Sequence, residues 1–307
     1  MASLKKEKKE TPPKKISPAG MLDASIALLE RGVNSKDDRL IRRFLRNNVL
    51  LRKNLTTTDL ITSYQFYVPA GTPNRDAIVS GLSALPASSA EVALFVDVDS
   101  AMDVDVEDAA DAVGDADVAE NMVPLKRGEP RDTVLPEVEI FFHLLALSRT
   151  IRQARSADGS SLLPSCVGSA TQLVQRLATF SRHTLDIIGS KAYMLYSLVN
   201  ELTSSEALMS IRPTLFSAYR TACLRRDDMG RATLVNLLLR NYIQFNHYEL
   251  ALKLLDGIPE EYPSSVSNNQ FVRYLYYTGR VYAVSCDYGE AHQRLNVVSL
   301  LLLMLFC

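Results

Sequence analysis

A hydrophobic share of 47% over 307 residues is enough for a sizeable folded core, so composition excludes a chain that is disordered throughout. The 34 lysines and arginines nearly balance the 35 aspartates and glutamates, and the net charge of −1 gives no reason to expect nucleic-acid binding by the whole chain. One large domain or two ordinary ones fit this length.

Residues 1–20 are predicted to form a disordered basic tail. They hold six lysines, two glutamates and three prolines, and this composition cannot bury a core. A lysine-rich tail serves either nuclear import or solubility, and both alternatives stay open.

Residues 21–68 are predicted to form N-terminal helices. Apolar residues recur there at helical spacing, and Ser35 with Asp38 resembles a capping box at the start of a second helix. That helix carries a basic stripe at helical spacing, formed by Arg39, Arg42, Arg43 and Arg46. A solvated helix face and a surface for RNA or an acidic partner both fit the stripe. Since Phe44 falls at an apolar position of this helix rather than in the stripe, and no RNA-binding motif accompanies the arginines, the stripe is not a predicted site.

Residues 69–134 are predicted to be a flexible acidic linker. No lysine or arginine occurs between Asp76 and Leu125, and the segment DVDSAMDVDVEDAADAVGDADVAE alternates acidic with small residues. A calcium-binding loop is excluded: in the register that starts at Asp103, Asp108 stands where the turn needs glycine, and Gly114 stands where a bidentate glutamate is needed.

Residues 135–307 are predicted to form tetratricopeptide-like helical repeats. LPEVEIFFHLLALSRTIRQA places Pro136 in a first helical turn, acids just behind it and arginines near its end, as the helix dipole favours. A loop is predicted over 156–170, and the segments beyond it are helical with no alternating strand pattern. The fold class is therefore all-α, a helical-repeat solenoid preceded by the tail and the linker.

The segments NLLLRNYIQFNHYELALKLL and YYTGRVYAVSCDYGEAHQRL share one spacing of packing positions. These positions are Leu239, Tyr242, Ala251 and Leu255 in the first segment, and Gly279, Tyr282, Ala291 and Leu295 in the second. The two copies are 40 residues apart, somewhat longer than the tetratricopeptide period of about 34. Small residues let two helices cross closely, so Gly279 and Ala291 predict a helical hairpin whose groove Tyr282 and Leu295 fill. Asn246 and Asp287 are predicted to lie in the turns or at N-caps.

Three segments carry a resemblance to a known family. LPEVEIFFHLL (135–145), RATLVNLLLRNY (231–242) and RYLYYTGR (273–280) resemble the non-ATPase regulatory subunit 3 family of the 26S proteasome. The resemblance is specific from about Leu135 to Leu295 and weaker from Ser25 to Tyr67. The chain departs from the family pattern around 156–170 and again after Leu295.

Family members are helical-repeat scaffolds that end in a PCI module and hold the regulatory particle lid together. The resemblance therefore implies a non-catalytic scaffold in the cytoplasm and nucleus, with other lid subunits as partners in ubiquitin-dependent protein degradation. The PCI region has no counterpart here, so a C-terminally truncated form is expected.

Catalysis is disfavoured independently of the resemblance. The histidines and cysteines lie in no metal-ligand spacing, and the chain has no GxSxG, P-loop or GxGxxG motif. We expect no catalytic residue, metal, cofactor, small-molecule substrate, nucleic acid or membrane partner. Two alternatives stay open: a helical-repeat RNA-binding protein, which needs basic and aromatic residues on its concave face, and a scaffold of a related PCI complex, either the signalosome or a translation initiation factor.

Overall fold

The computed structural model describes residues 18–69, 71–72, 74–83, 134–155, 160–258 and 266–306. Within these ranges every regular element is a helix, and no strand is present. The helices are α1 Pro18–Ser35, α2 Asp38–Asn54, α3 Thr57–Tyr67, α4 Arg75–Ser83, α5 Pro136–Arg155, α6 Leu163–Ala178, α7 Asp186–Thr203, α8 Ser205–Ser210, α9 Arg212–Arg225, α10 Asp228–Gln244, α11 Tyr248–Asp256, α12 Asn268–Val284 and α13 Tyr288–Phe306. Short 3-10 turns lie at Ser160–Leu162 and His183–Leu185.

The N-terminal helices share a core with α5. Helices α1 and α2 pack against each other, α1 and α4 pack on α5, and the Phe44 ring of α2 meets the Phe141 ring of α5 edge-on at 4.6 Å. Leu82 of α4 is fully buried. The predicted linker is therefore wrong at its start, because residues 75–83 form a packed helix. The predicted tail ends earlier than expected, because α1 begins at Pro18. Residues 84–133, with the acidic segment, lie outside the described residues.

Two rows of helices form the repeat region. Helices α5, α7, α10 and α12, here called the first row, contact one another in sequence. Helices α6, α9, α11 and α13, the second row, pack against first-row neighbours. The first-row helices α5 and α7 are buried on most of their faces, whereas α11 in the second row buries a single stripe, as in solenoid proteins. The predicted fold class, an all-α helical-repeat solenoid, is confirmed.

Four tight turns of one type join consecutive helices. A left-handed residue ends α1, α9, α10 and α12; these residues are Lys36, Arg226, Asn246 and Cys286. The next N–H then donates to the carbonyl five residues earlier, for example from Asp287 to Tyr282 at 3.0 Å. This is a Schellman motif, which usually takes glycine at the left-handed position. The next helix begins two residues after the left-handed residue. Only two residues therefore separate α1 from α2 and α9 from α10.

Helix α2 is capped by Asp37, whose carboxylate accepts the N–H of Arg39 at 3.0 Å. The predicted capping box at Ser35 is wrong. Ser35 still belongs to α1, and its hydroxyl donates to the Arg31 carbonyl at 2.9 Å. The left-handed turn at Lys36 moves the cap to the residue just before the second helix.

The predicted loop over 156–170 is also wrong in its second half, because α6 begins at Leu163. Pro164 lies in the first turn of α6, where its missing N–H costs no helical hydrogen bond. Cys166 and Ala170 are buried at helical spacing, while Gly168 faces open space. Proline and glycine here belong to a helix start and an exposed helix face.

Candidate protein-binding groove

The predicted packing positions of the last hairpin lie where α12 meets α13. A Cβ atom added at Gly279 would stand 2.8 Å from Cγ of Leu295 and 3.7 Å from the carbonyl oxygen of Ala291. The guanidinium of Arg294 lies 4.8 Å from the centre of the Tyr282 ring. Gly279, Ala291 and Leu295 therefore meet at one crossing, where the absence of a side chain at Gly279 makes room for Leu295, and Tyr282 packs beside it against Arg294.

The matching positions of the preceding hairpin lie on α10 and α11. Leu239, Ala251 and Leu255 are buried there, and the half-buried Tyr242 lies 5.5 Å from the guanidinium of Arg212. Thus both repeat tyrosines lie beside an arginine, which in one hairpin comes from the preceding helix and in the other from the following one.

A groove of about 460 Å³ runs across all four first-row helices. Its rim carries arginines from three different helices, Arg155, Arg240 and Arg273. Arg240 pairs with Glu201 of α7 at 2.8 Å. Burial alone would lower the pKa of Arg240, but the hydrogen bond and charge of Glu201 raise it above its usual value. With three arginines and one glutamate among its lining residues, the groove has a net positive charge, and its rim is cationic.

The floor of the groove is polar. The side-chain amide of Asn236 on α10 donates to the backbone carbonyl of Gln270 at 2.9 Å and to its side-chain oxygen at 2.8 Å. Gln270 in turn directs its own amide at the Met194 sulfur, 3.8 Å away. These bonds connect α7, α10 and α12. The floor of the groove is therefore polar rather than apolar, and its hydrogen bonds fix the positions of its side chains.

A second polar cluster holds the first turn of α5 in place. Glu139 accepts two hydrogen bonds from Arg176 of α6, at 2.7 and 3.0 Å, and the fully buried Glu137 accepts from Arg182 and Thr184. Carboxylates in a first turn also suit the helix dipole. We assign this cluster to stability, because both acids are neutralised within the chain.

His143 extends the α5 cluster into the core. It lies 3.3 Å from the Tyr64 hydroxyl, and burial lowers its pKa to about 4. It is therefore neutral at physiological pH.

Within the described residues, no group of three or more His, Cys, Asp and Glu side chains is placed to hold a metal ion.

A second groove, of about 480 Å³, separates α6 from α9. Asp227 lies in it and caps α10 by accepting the Gly230 N–H at 2.8 Å. Burial raises the pKa of Asp227 to about 6, and the charge of Asp186 adds to the effect.

None of the helices in the described part of the chain combines the length and the apolar character that crossing a bilayer requires.

Sequence comparison places this architecture in a family. Residues 21–298 match the family described as PSMD3-like, N-terminal TPR repeats. The chain belongs to this family. The match includes the first-row groove and both hairpins that carry the repeat positions.

Two curated relatives are named for the same proteasome subunit. The chain is 32% identical over 277 residues to the 26S proteasome non-ATPase regulatory subunit 3 of Dictyostelium discoideum, an alignment that covers 90% of this chain and 48% of that protein. It is also 32% identical over 270 residues to homolog B of that subunit in Arabidopsis thaliana, covering 88% and 47%. The chain thus spans about half the length of these relatives, and the predicted resemblance is confirmed.

The groove itself had no sequence signal. Its floor joins Asn236 to Gln270, which are 34 residues apart on two helices, and polar residues at such positions are ordinary on helix surfaces. The RYLYYTGR segment supplies Arg273 and Tyr277 to the groove, which its resemblance to a family did not indicate.

Proposed function

We propose that this chain is a non-catalytic scaffold of the 26S proteasome regulatory particle lid, which supports ubiquitin-dependent protein degradation in the cytoplasm and nucleus through contacts with other lid subunits. Family membership over residues 21–298 carries the proposal. The relatives are named as non-ATPase regulatory subunits, which agrees with a structural role.

The first-row groove is the surface best suited to such contacts. Repeat solenoids bind other proteins along extended surfaces that several repeats build together. Four helices contribute to this groove, and its cationic rim favours an acidic polypeptide partner. Charged groups on a rim steer association and select partners more than they add affinity.

The test is affinity purification of the tagged chain from cells, with quantification of co-purified lid subunits by mass spectrometry. We expect lid subunits to be recovered with the parent chain and to be reduced by Arg240→Glu combined with Arg273→Glu. The matched control is Arg39→Glu with Arg43→Glu, which reverses two exposed charges on α2, outside the groove. Recovery of no lid subunit with the folded parent would contradict the proposed function. Equal loss in both variants would contradict the choice of surface.

A further inference from the structure

Two polar atoms in the floor of the first-row groove have no hydrogen-bond partner among the residues that the structure describes. They are Oγ1 of Thr233 and Oδ1 of Asn236, on residues that are only 1% and 4% exposed. Buried polar atoms in folded proteins are nearly always paired, because leaving one unpaired destabilises the fold. An unpaired acceptor in the floor of a groove is therefore a position where a bound molecule can supply the missing donor.

The geometry of Asn236 defines which donor it lacks. Its amide nitrogen is committed to both oxygens of Gln270, so the orientation of the side chain is fixed. The free atom is the carbonyl oxygen, which accepts hydrogen bonds and cannot donate them. The complementary group is a hydrogen-bond donor, an N–H or an O–H, and Gln270 is the residue that keeps Oδ1 in position.

The dimensions and charge of the groove favour one kind of N–H donor. Four helices packed at about 8–10 Å intervals give a groove roughly 30 Å long, which an extended polypeptide of about nine residues spans. Such a chain presents a main-chain N–H at each residue. The rim arginines Arg240 and Arg273 add donors for carboxylates along the same path.

We propose that Asn236 recognises an extended, acidic polypeptide segment by accepting a hydrogen bond from its main chain, with Gln270 as the positioning residue and the rim arginines paired with its carboxylates. This inference rests on the proposed function, since it takes the partner to be a protein. Both residues line the groove but are almost fully buried, so the bound segment reaches these atoms only where neighbouring groove side chains move aside.

A single-stranded nucleic acid is the competing ligand class, because Arg273 lies beside Tyr277 on α12 and such pairs also bind bases. The unpaired oxygen of Asn236 argues against it. A sugar–phosphate backbone has no N–H group to donate to this oxygen, whereas an extended polypeptide offers one at every non-proline residue.

The experiment measures binding of fluorescein-labelled peptides of about nine residues to the full chain by fluorescence anisotropy. The peptides carry aspartate at every second position, with alanine, serine, leucine or tyrosine between, and the tightest binder is remade with N-methylated alternate amides. N-methylation removes main-chain donors but keeps every charge. We expect the N-methylated peptide to bind the parent chain about tenfold more weakly, as the loss of one hydrogen bond predicts.

The variants Asn236→Leu and Asn200→Leu form the matched pair. Asn200 is a buried asparagine of first-row helix α7 whose amide bonds the Tyr196 carbonyl of its own helix, and it does not line the groove. Asn236→Leu is expected to bind the two peptides with equal affinity, whereas Asn200→Leu is expected to keep the tenfold difference in affinity between them. If Asn236→Leu fails to fold, the comparison of the two peptides on the parent chain still decides.

Three results would overturn the inference: no saturable peptide binding, equal affinity of the parent for both peptides, or tighter binding of an oligouridine that competes with the peptide. If lid subunits co-purify with the chain in spite of any of these results, the proposed function stands while the role of Asn236 falls.

Discussion

The crossing of α12 and α13 offers a direct test of the hairpin packing. A Cβ at Gly279 would lie 2.8 Å from Cγ and 2.9 Å from Cδ2 of Leu295, about 1 Å closer than an unstrained carbon contact. Replacing glycine with alanine inside a helix gains about 1 kcal/mol in helix propensity. This gain offsets the cost of the close contact with Leu295, so Gly279→Ala is expected to change stability little. Gly279→Leu adds three further carbons at a filled position, and overpacking of this kind costs about 1–3 kcal/mol.

Gly168 is the matched control, because it is also a helix-interior glycine, but in the described part of the chain no neighbouring atom lies within 4 Å of an added Cβ. Gly168→Leu should therefore stabilise the chain by up to about 1 kcal/mol through propensity alone. Urea unfolding followed by circular dichroism measures both variants, and Leu295→Ala should restore much of the stability lost in Gly279→Leu. If Gly279→Leu unfolds at the same urea concentration as Gly168→Leu, the packing argument is wrong.

Three other predictions concern charge and exposed apolar surface. Arg176→Leu leaves the Glu139 carboxylate buried without its cation and should cost about 3 kcal/mol in urea unfolding, a loss that adding Glu139→Gln largely reverses. Burial raises the pKa of Asp227 from 3.8 to about 6, so its contribution to stability is fully present below pH 4 and lost as the pH rises through 6. Asp227→Asn should abolish that part of the pH dependence of unfolding while keeping an N-cap residue. Val297 and Leu300 are 40% and 60% exposed, so the chain should self-associate in gel filtration, and serine at both positions should reduce this; a parent that elutes as a monomer would contradict it.

Sequence reasoning predicted the features that depend on local pattern. Helical spacing gave the repeat region, and the small residues Gly279 and Ala291 pointed to the crossing of α12 and α13. The start of α5 at Pro136 follows from the same local rules, because a first-turn proline and acids near the N-terminus favour a helix there.

The helix ends, the start of α6 and the groove were not predicted, because no local sequence pattern marks them. Helix ends are usually read from glycine, but the Schellman turns here use lysine, arginine, asparagine and cysteine, so no breaker marks them. Proline and glycine in α6 suggested a loop, because a first-turn proline and an exposed mid-helix glycine look the same as turn residues in a single sequence. The groove arises only when α7, α10 and α12 pack side by side, and this packing is a tertiary result.

The two-row arrangement has a consequence for local unfolding. Helix α13 packs chiefly on α12, and α12 connects to the other helices chiefly through α10 and α11. The last hairpin can therefore open without disturbing α5 or the N-terminal helices, whereas opening α7 would break contacts on both sides. Amide hydrogen exchange should be fastest in α13, intermediate in α12 and slowest in α7, so the chain has a gradient of local stability along its length.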